Sequence, residues 1–175
     1  MSDRSKEELL VKNLSGRGWH IAFAESCTGG LAAARLINVP FASNVIDESI
    51  ITYANEAKIK YLGVPEEMIE QYGVVSEEVA GAMASGMARA AGCEVGVGIS
   101  GIAGPSGAVP GKPVGMVCFG FFVDGAVHTA ARQFGGIGRN SVRAASVEFV
   151  YDTLLCLLAQ EGAGAAAGLS YEKRT

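Results

Sequence analysis

The chain has 175 residues, of which 49% are apolar and 18% charged, so it can form one compact domain with a sizeable core. Its net charge is −4 and it carries no basic patch with interleaved aromatic residues, which argues against direct nucleic-acid binding. Four widely spaced cysteines without a CxxC pair argue against a metal or disulfide framework, and the apolar runs are too short to span a membrane.

The first half of the chain alternates helices with short strands. Its N-terminal segment is charged and amphipathic rather than a signal peptide, so we expect a cytoplasmic protein, and it predicts a helix from Ser5 to Leu14. The apolar run from Trp19 to Glu25 predicts a buried strand, which leads through a glycine-containing turn into a helix from Leu31 to Ile37. A β-branched stretch predicts a strand from Ser49 to Tyr53, and a helix from Asn55 to Leu62 should end at a glycine.

The second half contains the longest predicted helices and one hairpin. Ser76 is a favourable N-cap with acidic residues after it, and the helix that it starts should run to Ala91. Its small side chains predict close packing against a sheet. The other predicted elements are a helix opened by Pro65, a strand from Glu94 to Ser100, a loop from Gly101 to Pro113, hairpin strands from Val114 to Val123 and from Ala126 to Phe134 around Asp124-Gly125, and a helix from Ser141 to Leu158.

This order of elements predicts the fold class. Strands that alternate with helices, followed by one hairpin, indicate an α/β fold, namely a single three-layer α/β/α domain with a mixed β-sheet. Without an internal repeat or a second domain, residues 1–160 form that domain. The segment 161–175 is rich in Ala and Gly and then polar, and is predicted to be a flexible C-terminal tail.

Two segments could supply a nucleophile and its base. Ser26 lies in a strand-to-helix turn, where unpaired backbone amides can hold a phosphate or an oxyanion; the alternative is that Ser26 or Thr28 simply caps the helix. A serine hydroxyl needs a base at neutral pH, and a lysine serves if burial lowers its pKa. Lys58 has apolar neighbours, but the sequence alone does not distinguish it from a solvated helix lysine.

Two glycine-rich segments could bind a ligand. Residues 99–104 follow a predicted strand, which is where open α/β sheets place ligands, but a purely structural loop is an equal alternative. Arg139 stands at the start of the last helix and could bind a phosphate or carboxylate, or lie free on the surface. His20 and His128 have no partner pattern, which argues against a histidine triad or a zinc site.

Five stretches in order resemble the CinA C-terminal domain family, whose stand-alone members are nicotinamide-nucleotide amidases. The resemblance covers residues 5–158. The stretches are AESCTGGLAAARL at 24–36, ITYANEAKIKYLGV at 51–64, YGVVSEEVAGAMA at 72–84, GISGIAGPSG at 98–107 with KPVG at 112–115, and the arginine pair Arg139 and Arg143 at the last helix.

The resemblance implies a Ser/Lys amidohydrolase that converts nicotinamide mononucleotide to nicotinate mononucleotide and ammonia. It implies Ser26 as nucleophile, Lys58 as general base and Tyr53 as a positioning or proton-relay group. No metal or organic cofactor, nucleic acid or membrane is implied, and a homo-oligomer is expected. The implied substrate-binding residues are Cys27, Thr28, Gly29 and Gly30, whose amides are candidate oxyanion donors, together with Ser100, Gly101, Ala103, Gly104 and Arg139.

The chain departs from the family pattern at four positions, and these affect what can be said of its substrate. Phe41, Ser49 and Ala108 stand where the family usually has glycine, and Gly138 where it has an acidic residue. The departures leave the shape of the pocket open. Two alternatives therefore remain: a non-catalytic module that binds a nucleotide or a partner, and a Ser/Lys amidase for another small amide.

Overall fold

The structure is a computed structural model that describes residues 4–168, and it contains six helices and five strands in that part of the chain. The elements are α1 (Lys6–Ser15), β1 (Ile21–Glu25), α2 (Leu31–Ile37), β2 (Ile50–Ile51), α3 (Asn55–Leu62), α4 (Glu66–Tyr72), α5 (Glu77–Ala91), β3 (Val95–Gly101), β4 (Met116–Val123), β5 (Ala126–Gln133) and α6 (Arg139–Gly168), with a short 3-10 turn at Ala42–Asn44.

The five strands form one mixed sheet in the order β2-β1-β3-β4-β5. Strand β1 runs parallel to both β2 and β3, while β4 and β5 are antiparallel additions. Helix α5 covers one face, with α3 and α4 against it, and α1, α2 and α6 lie on the other face. The predicted α/β fold with a mixed sheet is therefore confirmed.

Capping residues explain why the helices begin and end where they do. Ser5 forms a capping box with Glu8 at the start of α1, and the Ser76 hydroxyl accepts from the Val79 amide at the start of α5. Gly63 ends α3 in the left-handed conformation, as expected for a C-terminal glycine. The predicted bounds of α2 and α3 coincide with the observed ones.

Helix α5 lies unusually close to the sheet. A Cβ atom added to Gly96, Gly98 or Gly120 would overlap the backbone of α5 at Ala80 or Ala84. These three strand positions therefore admit only glycine without separation of the layers. Gly86 of α5 faces the Leu62 carbonyl at the end of α3 in the same way, so it brings α3, rather than the sheet, close to α5.

Two elements differ from their predicted lengths. Strand β2 has only two residues instead of the five from Ser49 to Tyr53. At its start the Ser49 hydroxyl accepts from the Phe23 amide in place of a ladder carbonyl, and after its end the Thr52 and Tyr53 carbonyls accept from Lys58 Nζ. Helix α6 begins at Arg139 and continues to Gly168 rather than spanning Ser141–Leu158. The first part of the predicted tail thus has helical backbone, and residues 169–175 lie outside the described part of the chain.

Phe41 has a backbone conformation that suits glycine better than phenylalanine. Its φ is +69°, in the left-handed region, and its side chain is 75% exposed. A Cβ atom in this region costs about 1–2 kcal/mol, and an exposed side chain regains little of that by burial. The position is one at which the resembled family usually has glycine.

We expect Phe41→Gly to raise the free energy of unfolding by about 1 kcal/mol, because it relieves the left-handed strain at little loss of packing. Urea unfolding of the full chain measures this. Phe41→Ala is the matched control, since it removes the ring and keeps the Cβ atom, and it should leave stability nearly unchanged. Equal stabilisation by both variants would show that the ring, and not the backbone, is unfavourable.

Candidate active site

A cavity of about 670 Å³ opens at the carboxyl ends of β1 and β3. Because these strands are parallel neighbours, the segments that follow them meet at one edge of the sheet, which is the usual ligand position in such folds. The cavity brings together residues from all four sequence segments. It is lined by Ser26, Cys27, Tyr53, Lys58, Ser100, Gly101, Ala103, Gly104, Lys112 and Arg139, among others.

Ser26 and Lys58 meet at the floor of this cavity. The Lys58 Nζ atom lies 3.4 Å from the Ser26 Oγ atom. Lys58 is fully buried although it is on helix α3, and its side chain folds back to the Thr52 and Tyr53 carbonyls, at 2.7 and 3.3 Å from Nζ. The structure therefore excludes the alternative of a solvated lysine.

Burial lowers the pKa of Lys58 below its ordinary value of 10.5, because a charged amine loses its hydration in this position. The charges of Cys27 and Glu56 oppose that change. The contribution of Cys27 is not present at neutral pH, since burial raises the pKa of its thiol to about 12 and keeps it uncharged. The neutral amine is thus favoured where a base is needed.

Cys27 is a poor alternative nucleophile in spite of its position next to Ser26. Its side chain is only 5% exposed, and its Sγ atom lies against Gly101. A thiol attacks as the thiolate, and the raised pKa suppresses that form. Ser26, by contrast, is partly exposed to the cavity.

The turn after β1 is held by Glu25, whose role the sequence did not reveal. The buried Glu25 carboxylate accepts from the amides of Gly30, Ala32 and Ala33 at 2.9–3.2 Å, and so caps helix α2 from within the protein. The alternative in which Ser26 or Thr28 caps this helix is wrong, because neither side chain bonds its first-turn amides. An acidic residue ending an apolar run was the one available signal.

The remaining amides of this turn divide into used and unused groups. The amide of Gly29 donates to the Ser26 carbonyl, and that of Gly30 to Glu25, so neither is available to a ligand. Among the described residues, the amides of Cys27 and Thr28 have no backbone acceptor, and both are directed at the Cys27 thiol. Thr28, Gly29 and Gly30 do not line the cavity, whereas Cys27 does.

Tyr53 and Arg139 form one side of the cavity mouth. The Tyr53 hydroxyl accepts from Arg139 Nη2 at 3.1 Å, and the Gly104 carbonyl accepts from Nη1 at 3.1 Å. Both side chains are exposed at the mouth. Within the described part of the chain, the Tyr53 hydroxyl makes no hydrogen bond to Ser26 or Lys58; it is the Tyr53 carbonyl that touches the amine.

The cavity is positively charged in an acidic protein. Its lining contains Lys112 and Arg139 as well as Lys58, and no Asp or Glu. Lys112 donates to the Tyr72 carbonyl, which ties the loop after β3 to the end of α4. The Ser100 hydroxyl is buried and donates to the Val74 carbonyl at 2.7 Å, so it supports the wall of the cavity.

The four departures from the family pattern lie outside the cavity lining. Phe41 and Ser49 line a separate cavity of about 630 Å³ between α2 and β2. Ala108 and Gly138 are exposed and each lies next to lining residues without contributing to the lining itself. The doubt that the sequence raised about the pocket shape therefore does not extend to the walls around Ser26 and Lys58.

Within residues 4–168, no three His, Cys, Asp or Glu side chains are grouped so that they could hold a metal ion. None of the helices in this part of the chain combines the length and the apolar character of a membrane span.

Comparisons by sequence identify relatives of this chain. The sequence model of the CinA C-terminal domain matches residues 3–158. A CinA-like protein from Kosmotoga olearia is 47% identical over 152 residues, which cover 87% of this chain and 37% of that protein. A protein named nicotinamide-nucleotide amidohydrolase PncC from Enterobacter agglomerans is 46% identical over 159 residues, covering 89% of this chain and 96% of that one. The chain thus spans little over a third of some curated relatives and nearly all of another.

Comparison by structure gives the same result. A CinA superfamily protein from Klebsiella pneumoniae aligns with a TM-score of 0.84 at 34% identity, covering 90% of this chain and 99% of that one. A second, from Escherichia coli, has the same TM-score and identity and covers 87% of this chain and 88% of its own.

The buried amine predicts a pH-dependent difference in stability between wild type and Lys58→Met. Between the lowered pKa of the folded state and 10.5, the unfolded chain holds a proton on Lys58 that the folded chain has released. The free energy of unfolding of wild type should therefore rise with pH relative to Lys58→Met, by at most about 1.4 kcal/mol per pH unit. Urea unfolding of both proteins from pH 6 to pH 9.5 measures this slope.

Lys60→Met is the matched control, because Lys60 is exposed on the same helix and lies over the Tyr61 ring. The difference in unfolding free energy between wild type and Lys60→Met should not follow the pH dependence expected for Lys58→Met. A stability difference between wild type and Lys58→Met that does not change with pH would contradict a lowered pKa for Lys58.

Proposed function

The chain belongs to the CinA C-terminal domain family, and from that membership and the site we propose that it hydrolyses the carboxamide of nicotinamide mononucleotide to nicotinate mononucleotide and ammonia. The contact between the buried Lys58 amine and the Ser26 hydroxyl is the observation that carries this proposal. The similarity to a protein named for this amidase activity supports it.

The hydrogen bonds of Lys58 suit a general base. A neutral amine has two N–H donors and one lone pair. The carbonyls of Thr52 and Tyr53 accept the two N–H groups, which leaves the lone pair for the Ser26 hydroxyl proton. The carbonyls thereby fix the direction of the lone pair, so that no rearrangement is needed before proton transfer.

The first half of the reaction forms an acyl-enzyme. Ser26 Oγ bonds to the amide carbon while its proton passes to Lys58 Nζ, and the carbonyl oxygen takes the negative charge. The Cys27 amide, which has no backbone acceptor and belongs to a residue that lines the cavity, is the donor proposed for that oxyanion. The C–N bond then breaks, and the departing nitrogen takes the proton from Lys58 and leaves as ammonia.

The second half releases the acid and restores the enzyme. Water gives a proton to the Lys58 amine as its oxygen bonds to the acyl carbon, and Ser26 leaves with the proton returned from Lys58. The oxyanion occupies the same donors in both halves. Ser26, Lys58 and water carry out the proton transfers and the bond changes, and the backbone donors stabilise the oxyanion.

The charge of the cavity suits a phosphorylated substrate. Lys112 and Arg139 are positive and no carboxylate opposes them in the lining, so an anion is attracted into an otherwise acidic protein. We propose that Arg139 contacts the phosphate and that Tyr53 orients Arg139 through its hydroxyl. A cytoplasmic location and a homo-oligomeric assembly remain predictions.

We expect purified protein to release ammonia from nicotinamide mononucleotide, and both Ser26→Ala and Lys58→Met to lower kcat by at least about a thousandfold, since each removes a reacting group. Lys60→Met should retain the wild-type rate. An enzyme-coupled ammonia assay measures this, with circular dichroism as the check of folding.

Folded wild-type protein that binds the nucleotide without releasing ammonia would instead favour the non-catalytic module. Equal rates with simple nicotinamide and other small amides would favour the broader amidase.

Because the base must be neutral, kcat/KM should rise with pH through the lowered pKa of Lys58. A rate that is flat from acid to alkaline pH would exclude Lys58 as the base.

Arg139→Met tests the phosphate contact. It should raise KM for nicotinamide mononucleotide by about 10- to 100-fold, the usual cost of one charge-assisted contact, and leave KM for nicotinamide riboside, which lacks the phosphate, nearly unchanged. Steady-state kinetics with both substrates measure the difference. An equal rise for both would assign Arg139 to shaping the cavity through Tyr53 and Gly104 instead.

A further inference from the structure

Arg143 lies on the first turn of α6 and holds the segment that carries Ser26. The Cys27 carbonyl accepts from its Nε atom at 3.1 Å and the Thr28 carbonyl from its Nη2 atom at 2.9 Å. Its third nitrogen, Nη1, donates to the Asn140 side chain at 3.2 Å. Every nitrogen of the guanidinium is therefore committed to a partner within the protein.

We propose that Arg143 is a positioning residue for the oxyanion donors of the Ser26 turn. The proposal rests on the amide hydrolysis proposed above and adds a residue to it. Arg143 does not line the cavity, whereas Arg139, four residues earlier on the same helix, does. Its effect is therefore on the turn and not on the bound substrate.

The planarity of the peptide bond transmits this effect. The Cys27–Thr28 peptide is trans, so its carbonyl and its N–H point in opposite directions. When Arg143 holds the Cys27 carbonyl, the Thr28 N–H must face away from α6. Because Arg143 also holds the Thr28 carbonyl, two consecutive peptide planes after Ser26 are fixed, and with them the turn that carries the Cys27 amide.

Glu25 holds the same turn from its other end. Its carboxylate takes the amides of Gly30, Ala32 and Ala33, and Arg143 takes two carbonyls, so opposite charges bind opposite backbone groups. The turn cannot shift toward either partner without losing hydrogen bonds to the other. Both side chains are thereby required for one fixed backbone geometry.

The hydrogen bonds of the amides in residues 26–31 indicate which donors this backbone geometry leaves for a ligand. The amides of Ser26, Gly29, Gly30 and Leu31 all have partners. In the described structure only those of Cys27 and Thr28 lack an oxygen acceptor; both are directed at the Cys27 thiol, and of the two residues only Cys27 lines the cavity. A neutral thiol is a weak acceptor, so a buried amide that has no other partner remains a strong donor for an anion. Donors kept free in this way fit an anion that exists only during reaction.

The test compares Arg143→Met with Arg143→Lys in the full chain. We expect Arg143→Met to lower kcat for nicotinamide mononucleotide by about 10- to 100-fold with little change in KM, because misplaced donors affect the transition state and not ground-state binding. Arg143→Lys should lose most of the same factor, since one ammonium cannot hold two carbonyls in a fixed plane.

An aldehyde analogue separates positioning from general damage. The mononucleotide of pyridine-3-carbaldehyde accepts Ser26 Oγ at its aldehyde carbon, the serine proton passes to Lys58, and the aldehyde oxygen becomes an oxyanion in the same place. Inhibition by this analogue should weaken in both Arg143 variants by the factor lost in kcat. Inhibition by the mononucleotide of unsubstituted pyridine, which has no carbonyl oxygen to place against the donors, should stay within about twofold.

Arg17→Met is the matched control, because Arg17 also donates to a backbone carbonyl, that of Leu158, far from the cavity. It should change neither inhibitor. Wild-type kcat in Arg143→Met, or equal weakening of both inhibitors, would overturn the proposal, and if that variant does not fold, Arg143→Lys decides by the same readouts. Wild-type protein without amidase activity would overturn the proposed function itself, and the role of Arg143 with it.

Discussion

The whole site depends on the burial of one amine. Lys58 is inaccessible to solvent, yet its nitrogen touches three oxygen atoms, two of them backbone carbonyls just before its own helix. Burial removes the hydration that an ammonium requires, and the carbonyls accept both protons of the neutral form. Burial therefore lowers the pKa of this amine, and the two carbonyls fix its direction.

The nucleophile is placed by a different means. Ser26 has no rigid scaffold of its own, since it lies between the end of β1 and the start of α2. A carboxylate and a guanidinium, from residues more than a hundred positions apart, hold the backbone that follows it. The charged groups of Glu25 and Arg143 thus orient peptide groups outside the cavity. The charged side chains that line the cavity itself are all basic. The hydrogen bonds that stabilise this turn are therefore the same ones that position Ser26.

Much of the fold, but less of the site, could be predicted from the sequence. The start of α2 and the end of α3 were predictable because a glycine in the left-handed conformation stands at each, Gly30 and Gly63. The short β2 was not, since its ladder is interrupted by the Ser49 side chain, a tertiary contact. The burial of Lys58 and the partners of Glu25 likewise depend on elements distant in the chain. Local pattern carries no information on such contacts, and only the family resemblance pointed to Lys58.

The glycines between α5 and its neighbours have a consequence for how this protein can vary. At Gly96, Gly98, Gly120 and Gly86, backbone rests directly on backbone, so there is no side chain that could repack to absorb a change. The location of the lysine follows from that stacking, because Gly86 sets how near α3 can come to α5. Ordinary drift among the apolar core residues should consequently leave the chemistry intact. A change in the distance of α5 from the sheet or from α3 would require several of these glycines to be replaced at once.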